Sequence, residues 1–384
     1  MRTTHVIVLA LPLAACSPEL AVVAGAPVFA APPETLVVAS EARISSLGVI
    51  EGAIVVGSDA GLLRVNETVL EPVELVTLAG EPAQSGAIVT LAARGDGVLA
   101  LAENGLYYSY GARLVRSPTS SLVADLDVHT LDEAADGSLW LAGAELYRVA
   151  AALERWPLDE ELTAVRTLGD VVLAAGSELY EIHEEQIDSV PHAFGAVHAI
   201  ARAADGSAYL GTEVGLVARS VDGTYTQYPL SEDGAAPVPV TAVVHDEIGG
   251  TYAASALGLV RLHQGELTGI AAGELAHAMA VDRQGDVWLA EDQSLTALFV
   301  GTPVSFASEV LPIVAAKCAG CHGVPESGAP SIDWTDFATA VGWSDHMLDR
   351  IGDPASPMPP RNASPLSALE RALLVRWLEN GTAP

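Results

Sequence analysis

The chain has 384 residues, half of them hydrophobic but only 5% aromatic, with 35 glycines and a net charge of −31. That length allows two or three domains, and abundant glycine with few long helical periods points to strands joined by tight turns. A polyanion is repelled by phosphate backbones, which excludes nucleic acid as a partner. Residues 304–384 hold five basic and nine acidic side chains, so −27 of the charge lies before them.

The first residues read as an address. Arg2 precedes an apolar run over 6–13 that is too short to span a membrane and has the length of a signal-peptide core. Leu13-Ala14-Ala15-Cys16 resembles a bacterial lipobox, which implies a signal peptide over 1–16 and lipidation of Cys16. Cysteine usage agrees, because two of the three cysteines stand together far downstream and leave Cys16 without a disulfide partner. Residues 17–33, rich in Ala and Pro, read as a flexible tether. No later apolar run reaches 18 residues, so lipid alone is the expected membrane anchor, in the cell envelope of a Gram-negative-type bacterium.

Residues 34–300 repeat. Asp136-Gly137-Ser138-Leu139-Trp140, Asp205-Gly206-Ser207-Ala208-Tyr209 and Gln284-Gly285-Asp286-Val287-Trp288 are one phrase: a turn glycine followed by an alternating apolar strand. Looser copies place turns at Gly52, Gly97, Gly169 and Gly250, and second strands open at Gly61-Leu62, Gly105-Leu106, Gly215-Leu216 and Gly258-Leu259. Seven turns between 52 and 285 give a mean period of about 39 residues, the size of a four-stranded propeller blade. The units resemble the propeller repeats of two-component-regulator-type sensors, which implies a seven-bladed β-propeller that binds a ligand or partner. The last unit, 277–300, supplies three strands, and 34–40 supplies an orphan strand whose pairing with it would close the ring.

His129, His198 and His277 each stand eight residues before a turn glycine. Equivalent positions lie at one level around the axis, so two readings are open: a metal held by imidazoles, or hydrogen bonds from each histidine to its neighbouring blade. Acid pairs such as Glu160-Glu161 and Glu184-Glu185 fall in turns and read as solvated. Neither a glycine-rich phosphate loop nor a G-x-S-x-G elbow is present.

Cys318-Ala319-Gly320-Cys321-His322 is the stretch where residue type and spacing dictate chemistry. Two thiols three positions apart can add across the two vinyl groups of one haem, and the adjacent histidine then lies under the iron. Zinc would need further soft ligands, and a redox dithiol would need a surrounding βαβ pattern. A sixth ligand is available in Met358, set in Ser356-Pro357-Met358-Pro359-Pro360, where the prolines fix the backbone. Met347 and His346 are rivals that read as packing and solvent. A helix over 306–317 delivers Cys318, and a closing helix opens on a Ser367…Glu370 capping box and ends at Asn380-Gly381. Its apolar stripe is Leu366, Leu369, Leu373, Leu374 and Trp377.

With that order of helix, CxxCH, Met-Pro-Pro loop and helix, residues 304–384 resemble a class I cytochrome c domain. The resemblance implies one covalent haem c, with Cys318 and Cys321 as thioethers and His322 and Met358 as axial ligands. The expected fold is therefore multidomain: an all-β seven-bladed β-propeller followed by a small all-α cytochrome c domain. The expected function is single-electron transfer by an exported, lipid-anchored cytochrome whose propeller is a docking platform, with a basic redox partner protein suited to the acidic surface. Two alternatives stand beside it: an oxidoreductase whose propeller binds the substrate, and a ligand or redox sensor.

Overall fold

The computed structural model describes residues 21–22, 27, 33, 35–299, 304–322, 332–353, 358–360 and 363–379, apart from 67, 85, 96, 112, 159, 184–185, 192–193, 232–234, 247 and 274–275. The leader with Cys16, the Glu184-Glu185 pair, the join 301–303 and the end signal Asn380-Gly381 lie outside the described residues.

Seven sheets, each built on an antiparallel run of four strands, form a ring. Their innermost strands are Ile44–Ile50, Ile88–Arg94, Val128–Glu133, Ala164–Leu168, Val197–Arg202, Val240–His245 and Ala278–Val281, in blades one to seven. Each touches the next, and the last returns to the first. Second strands such as Gly97–Ala102 and Leu139–Gly143 are buried along their whole length, because a blade is covered on both faces. Seven apolar clusters each join two neighbouring blades, so no blade buries its residues alone.

Closure uses the two ends of the propeller. Thr35–Ala39 pairs antiparallel with Ser294–Leu298, from Thr35 opposite Leu298 to Ala39 opposite Ser294, and completes blade seven as its outermost strand. Val38, 1% exposed, then packs in one cluster with Trp288 and Leu295 of blade seven and Ile44, Leu47 and Val56 of blade one.

Three local expectations are corrected. In blades two and six the left-handed turn residues are Gly95 (φ 55°) and Gly249 (φ 89°), not Gly97 and Gly250. The displaced glycines answer a different need: a Cβ on Gly250 would stand 2.9 Å from both Asp246 Oδ2 and Arg261 Nε. Within the stretch read as a tether, Ala21–Val22 is a strand, added in parallel to the outer edge of blade five at Thr226 and Gln227. An outermost strand carries unpaired backbone groups that a passing segment satisfies, and Leu75–Val76 covers blade two in the same way.

The C-terminal segment is helical. Its first helix opens as a wide π turn, Phe306–Val310, before Leu311–Lys317 continues as an α-helix; Pro312 has no N–H with which to extend an ordinary ladder backwards. The closing helix, Ala368–Glu379, carries the expected capping box, with the Glu370 carboxylate accepting from Ser367 N–H (2.7 Å) and the Ser367 hydroxyl accepting from Glu370 N–H (3.1 Å). The two helices meet at Phe306 and Trp377, ring centroids 5.3 Å apart, within a core that includes Val310, Val314, Trp334, Met347, Ile351 and Leu374. Leu366 and Leu373 pack against that core. The Leu369 side chain lies outside the described residues. No helix among the described residues is long and apolar enough to cross a membrane.

Charge is also buried between blades four and five. Glu181 accepts from Arg219 Nε at 2.7 Å and from the Tyr225 hydroxyl at 2.8 Å. Burial alone would raise this carboxyl, but the bonds from Arg219 and Tyr225 outweigh it and hold it below the usual range. A lowered folded value contributes stability above the unfolded value, and that contribution disappears as pH falls through the folded one. The stability gap between the parent chain and Glu181→Gln, read from urea unfolding midpoints, should therefore narrow steadily from pH 6 to pH 3. Val38→Asp places an unpaired carboxylate in the closing seam and should cost about 3 kcal/mol or more by the same measurement.

Candidate functional site

The helix Leu311–Lys317 runs directly into the CxxCH turn. Cys318 N–H donates to the Val314 carbonyl (2.9 Å), and the N–H groups of Cys321 and His322 both return to the Cys318 carbonyl, at 3.1 and 3.0 Å. Helical turn Ala319–His322 thus presents both sulfurs and the imidazole along one short length of backbone. Cys321 is exposed and Cys318 half-buried. The His322 ring stacks on Trp334 with centroids 4.9 Å apart, and His322 Nδ1 and Trp334 Nε1 are both buried without a hydrogen-bond partner among the described residues.

The Cys318 thiol is held in its protonated form. Burial, and secondarily Cys321, pushes the Cys318 thiol up to about 11, whereas an exchanging cysteine is held as a thiolate near neutrality. Lys317, the only lysine in the chain, is structural: its ammonium donates to the Ser364 hydroxyl (3.1 Å) and the Pro365 carbonyl (2.9 Å) and lies 3.4 Å from Glu370. It thereby ties the start of the closing helix to the CxxCH turn.

Met358 is half-buried, and its N–H donates to the Arg350 carbonyl (3.0 Å), which fixes the loop to the end of the helix Ser344–Gly352. The preceding residues 354–357 are outside the described set. Of the rivals, Met347 is a core residue at 2% exposure, and His346 is exposed, edge-on to Trp343 at 5.8 Å.

The three propeller histidines stand where their innermost strands begin, His129 and His198 at a register irregularity and His277 just before Ala278. The same position in other blades carries Ser45, Val89, Thr163 and Thr241, and its hydroxyls reach the next blade. Ser45 donates to the Ile88 carbonyl (2.6 Å), Thr163 to Val197 (2.7 Å) and Thr241 to Ala276 (2.9 Å). His277 Nε2 lies 3.1 Å from the Ile44 carbonyl, a bond that spans the closing seam. His129 Nε2 lies 2.9 Å from the Glu161 carboxylate. His198 is exposed at its place in the series. Among the described residues no three His, Cys, Asp or Glu side chains gather as a metal site, so the structure favours inter-blade bonding over a shared metal. Beside the seam on this face is a depression of about 460 Å³ lined by Arg43, Ser45, Asp59, Ile88, His277 and Asp292.

A polar cluster on the innermost strands had no sequence signal. Asp132, 3% exposed, accepts from Thr167 N–H and hydroxyl, both at 2.8 Å, and Arg202 lies 3.6 Å away. Only the ring geometry brings these three blades together.

No protein-family model and no curated protein matches the chain. Solved structures do. The extracellular domain of a hybrid two-component system from B. thetaiotaomicron aligns with a TM-score of 0.54 at 17% identity, over 69% of this chain and 40% of that one. Streptogramin B lyase gives 0.50 at 12% identity, over 69% and 97%, and the WD40 domain of Pan2 from Neurospora crassa gives 0.51 at 11%, over 71% and 98%. The chain spans about 40% of the length of the first of these. Likeness at such identity establishes the fold of the larger domain, a seven-bladed β-propeller, and nothing of its ligand.

If the position shared by the histidines serves the ring, His277→Ala should lower unfolding stability by about 1 kcal/mol. His198→Ala should stay within about 0.5 kcal/mol of the parent; urea midpoints decide both.

Proposed function

We propose that the chain is an exported, lipid-anchored c-type cytochrome that passes single electrons, with the propeller as its binding and docking platform. One observation carries this reading: Cys318, Cys321 and His322 stand on a single helical turn at the end of the first helix, against a core closed by Trp377. The residues fit a covalently held haem. The spacing suits two thioethers, and His322 Nδ1 is buried without a hydrogen-bond partner among the described residues. The chain holds no other cysteine beyond Cys16 that could complete a zinc site.

Bound haem c would supply a one-electron couple. In this reading Cys318 and Cys321 hold it, His322 is the proximal ligand, and Met358 is the distal one. The bond from Met358 N–H to Arg350 limits the freedom of the loop that carries the thioether. Trp334 stacks on the His322 ring and restrains its rotation. Cys16 would carry the lipid, and a strongly acidic surface suits a basic redox partner.

A sensor is the second reading, favoured by the propeller's likeness to the extracellular domain of a two-component system. The reduced visible spectrum of the haem-matured protein, taken with and without carbon monoxide, separates them. A low-spin spectrum unchanged by the gas is expected for closed histidine–methionine coordination. A gas-shifted spectrum would point to an open sixth position and the sensor or enzyme reading. Met358→Ala should open that position and make the spectrum gas-sensitive; an unaltered spectrum in this variant would remove Met358 as a ligand.

A further inference from the structure

The second buried face of the closing helix meets the propeller. Arg376 is 4% exposed although it lies on the side of the helix that an isolated domain would leave in water. Its guanidinium lies 3.6 Å from the Asp246 carboxylate, whose side chain is fully buried, in the turn between the first two strands of blade six. The seat is shaped for it. Asp246 Oδ1 accepts from the N–H groups of Ile248 (3.0 Å) and Gly250 (2.7 Å), which holds the carboxylate still; Oδ2 accepts no hydrogen bond among the described residues and faces the arginine as an ion-pair partner. In blade seven a Cβ on Gly285 would stand 2.8 Å from Arg376 Cζ, so a side chain there would push the guanidinium from its place across that turn. A second bridge, Arg283 to Glu379 at 3.5 Å, repeats the contact one helical turn later. The Tyr252 hydroxyl beneath is pushed up to about 12, by burial first, and it feels both Arg261 and Arg376.

We infer that the turns of blades six and seven form a built receptor for Arg376, so that the C-terminal domain is seated on the propeller as a fixed unit and does not swing on the join at 301–303. Two charges removed from water are stable only in the presence of each other and at one geometry. The pair therefore sets the register of the docking. If the proposed function holds, on which this last step rests, electrons enter and leave a carrier of fixed orientation, and its partner must fit propeller and C-terminal domain together. The Ser, Thr and His series and the depression at the seam lie at the other ends of the innermost strands.

Hydrogen exchange on the full, haem-matured chain tests this, with the visible spectrum of the same samples reporting haem separately. In Arg376→Met, exchange at 246–252 and 283–286 should rise on the order of tenfold or more, although the substitution is in the other domain, while blades one to four stay unchanged. Asp246→Asn, in the propeller, should reciprocally accelerate exchange across 368–379 with the spectrum unaltered, which keeps the test valid if Arg376→Met disturbs its own domain. Acceleration confined in each variant to the domain that carries the substitution would overturn the inference, as would no change in either.

Discussion

Pairing of Thr35–Ala39 with Ser294–Leu298 is the constraint from which the rest of the architecture follows. A propeller blade cannot bury its faces alone, so each apolar cluster needs two blades, and the last of those clusters exists only when the ring is shut. Closing the ring with strands from both ends of the propeller puts the final strand, Ser294–Leu298, inside blade seven, flanked on both sides. The helical domain starts a few residues later, at Val304. Its landing site on the turns of blades six and seven is thus the nearest propeller surface on the face it reaches.

Polar groups in this molecule are spent on register. Hydroxyls and imidazoles at the start of the innermost strands bond the next blade's carbonyls, Glu181 and Arg219 join blades four and five, and Arg376 and Asp246 join the two domains. Each adds only modest net stability once its desolvation is set against it. Each specifies which neighbour is correct, a need that is acute in a ring of near-identical units with little aromatic bulk. The same economy explains why the CxxCH turn is conspicuous: it is the place where reactive side chains gather without serving a blade boundary.

Much of the propeller was legible because its signal repeats. Turn glycine and strand recur with a mean period of about 39 residues, and the missing fourth strand of the last unit announced a donor from the start of the chain. The capping box of the closing helix was equally local and equally readable. Positions that needed three-dimensional neighbours were not. Gly250 looks like a turn residue and is instead a gap beside Arg261 and Asp246; Ala21 and Val22 are too few to show a strand period. Arg376 gave no signal, since its partner belongs to a blade distant in sequence. The histidine series was visible, but the partner of His277 is Ile44, and that contact exists only after closure.

The central claim concerns covalent chemistry at the turn following Leu311–Lys317, and peptide mass analysis of protein matured in a host that attaches c-type haem addresses it most directly. The account predicts that the peptide spanning 318–322 carries one haem through both Cys318 and Cys321, and that replacing either cysteine with alanine leaves at most a single thioether. Recovery of that peptide with both thiols unmodified from such a host would contradict it.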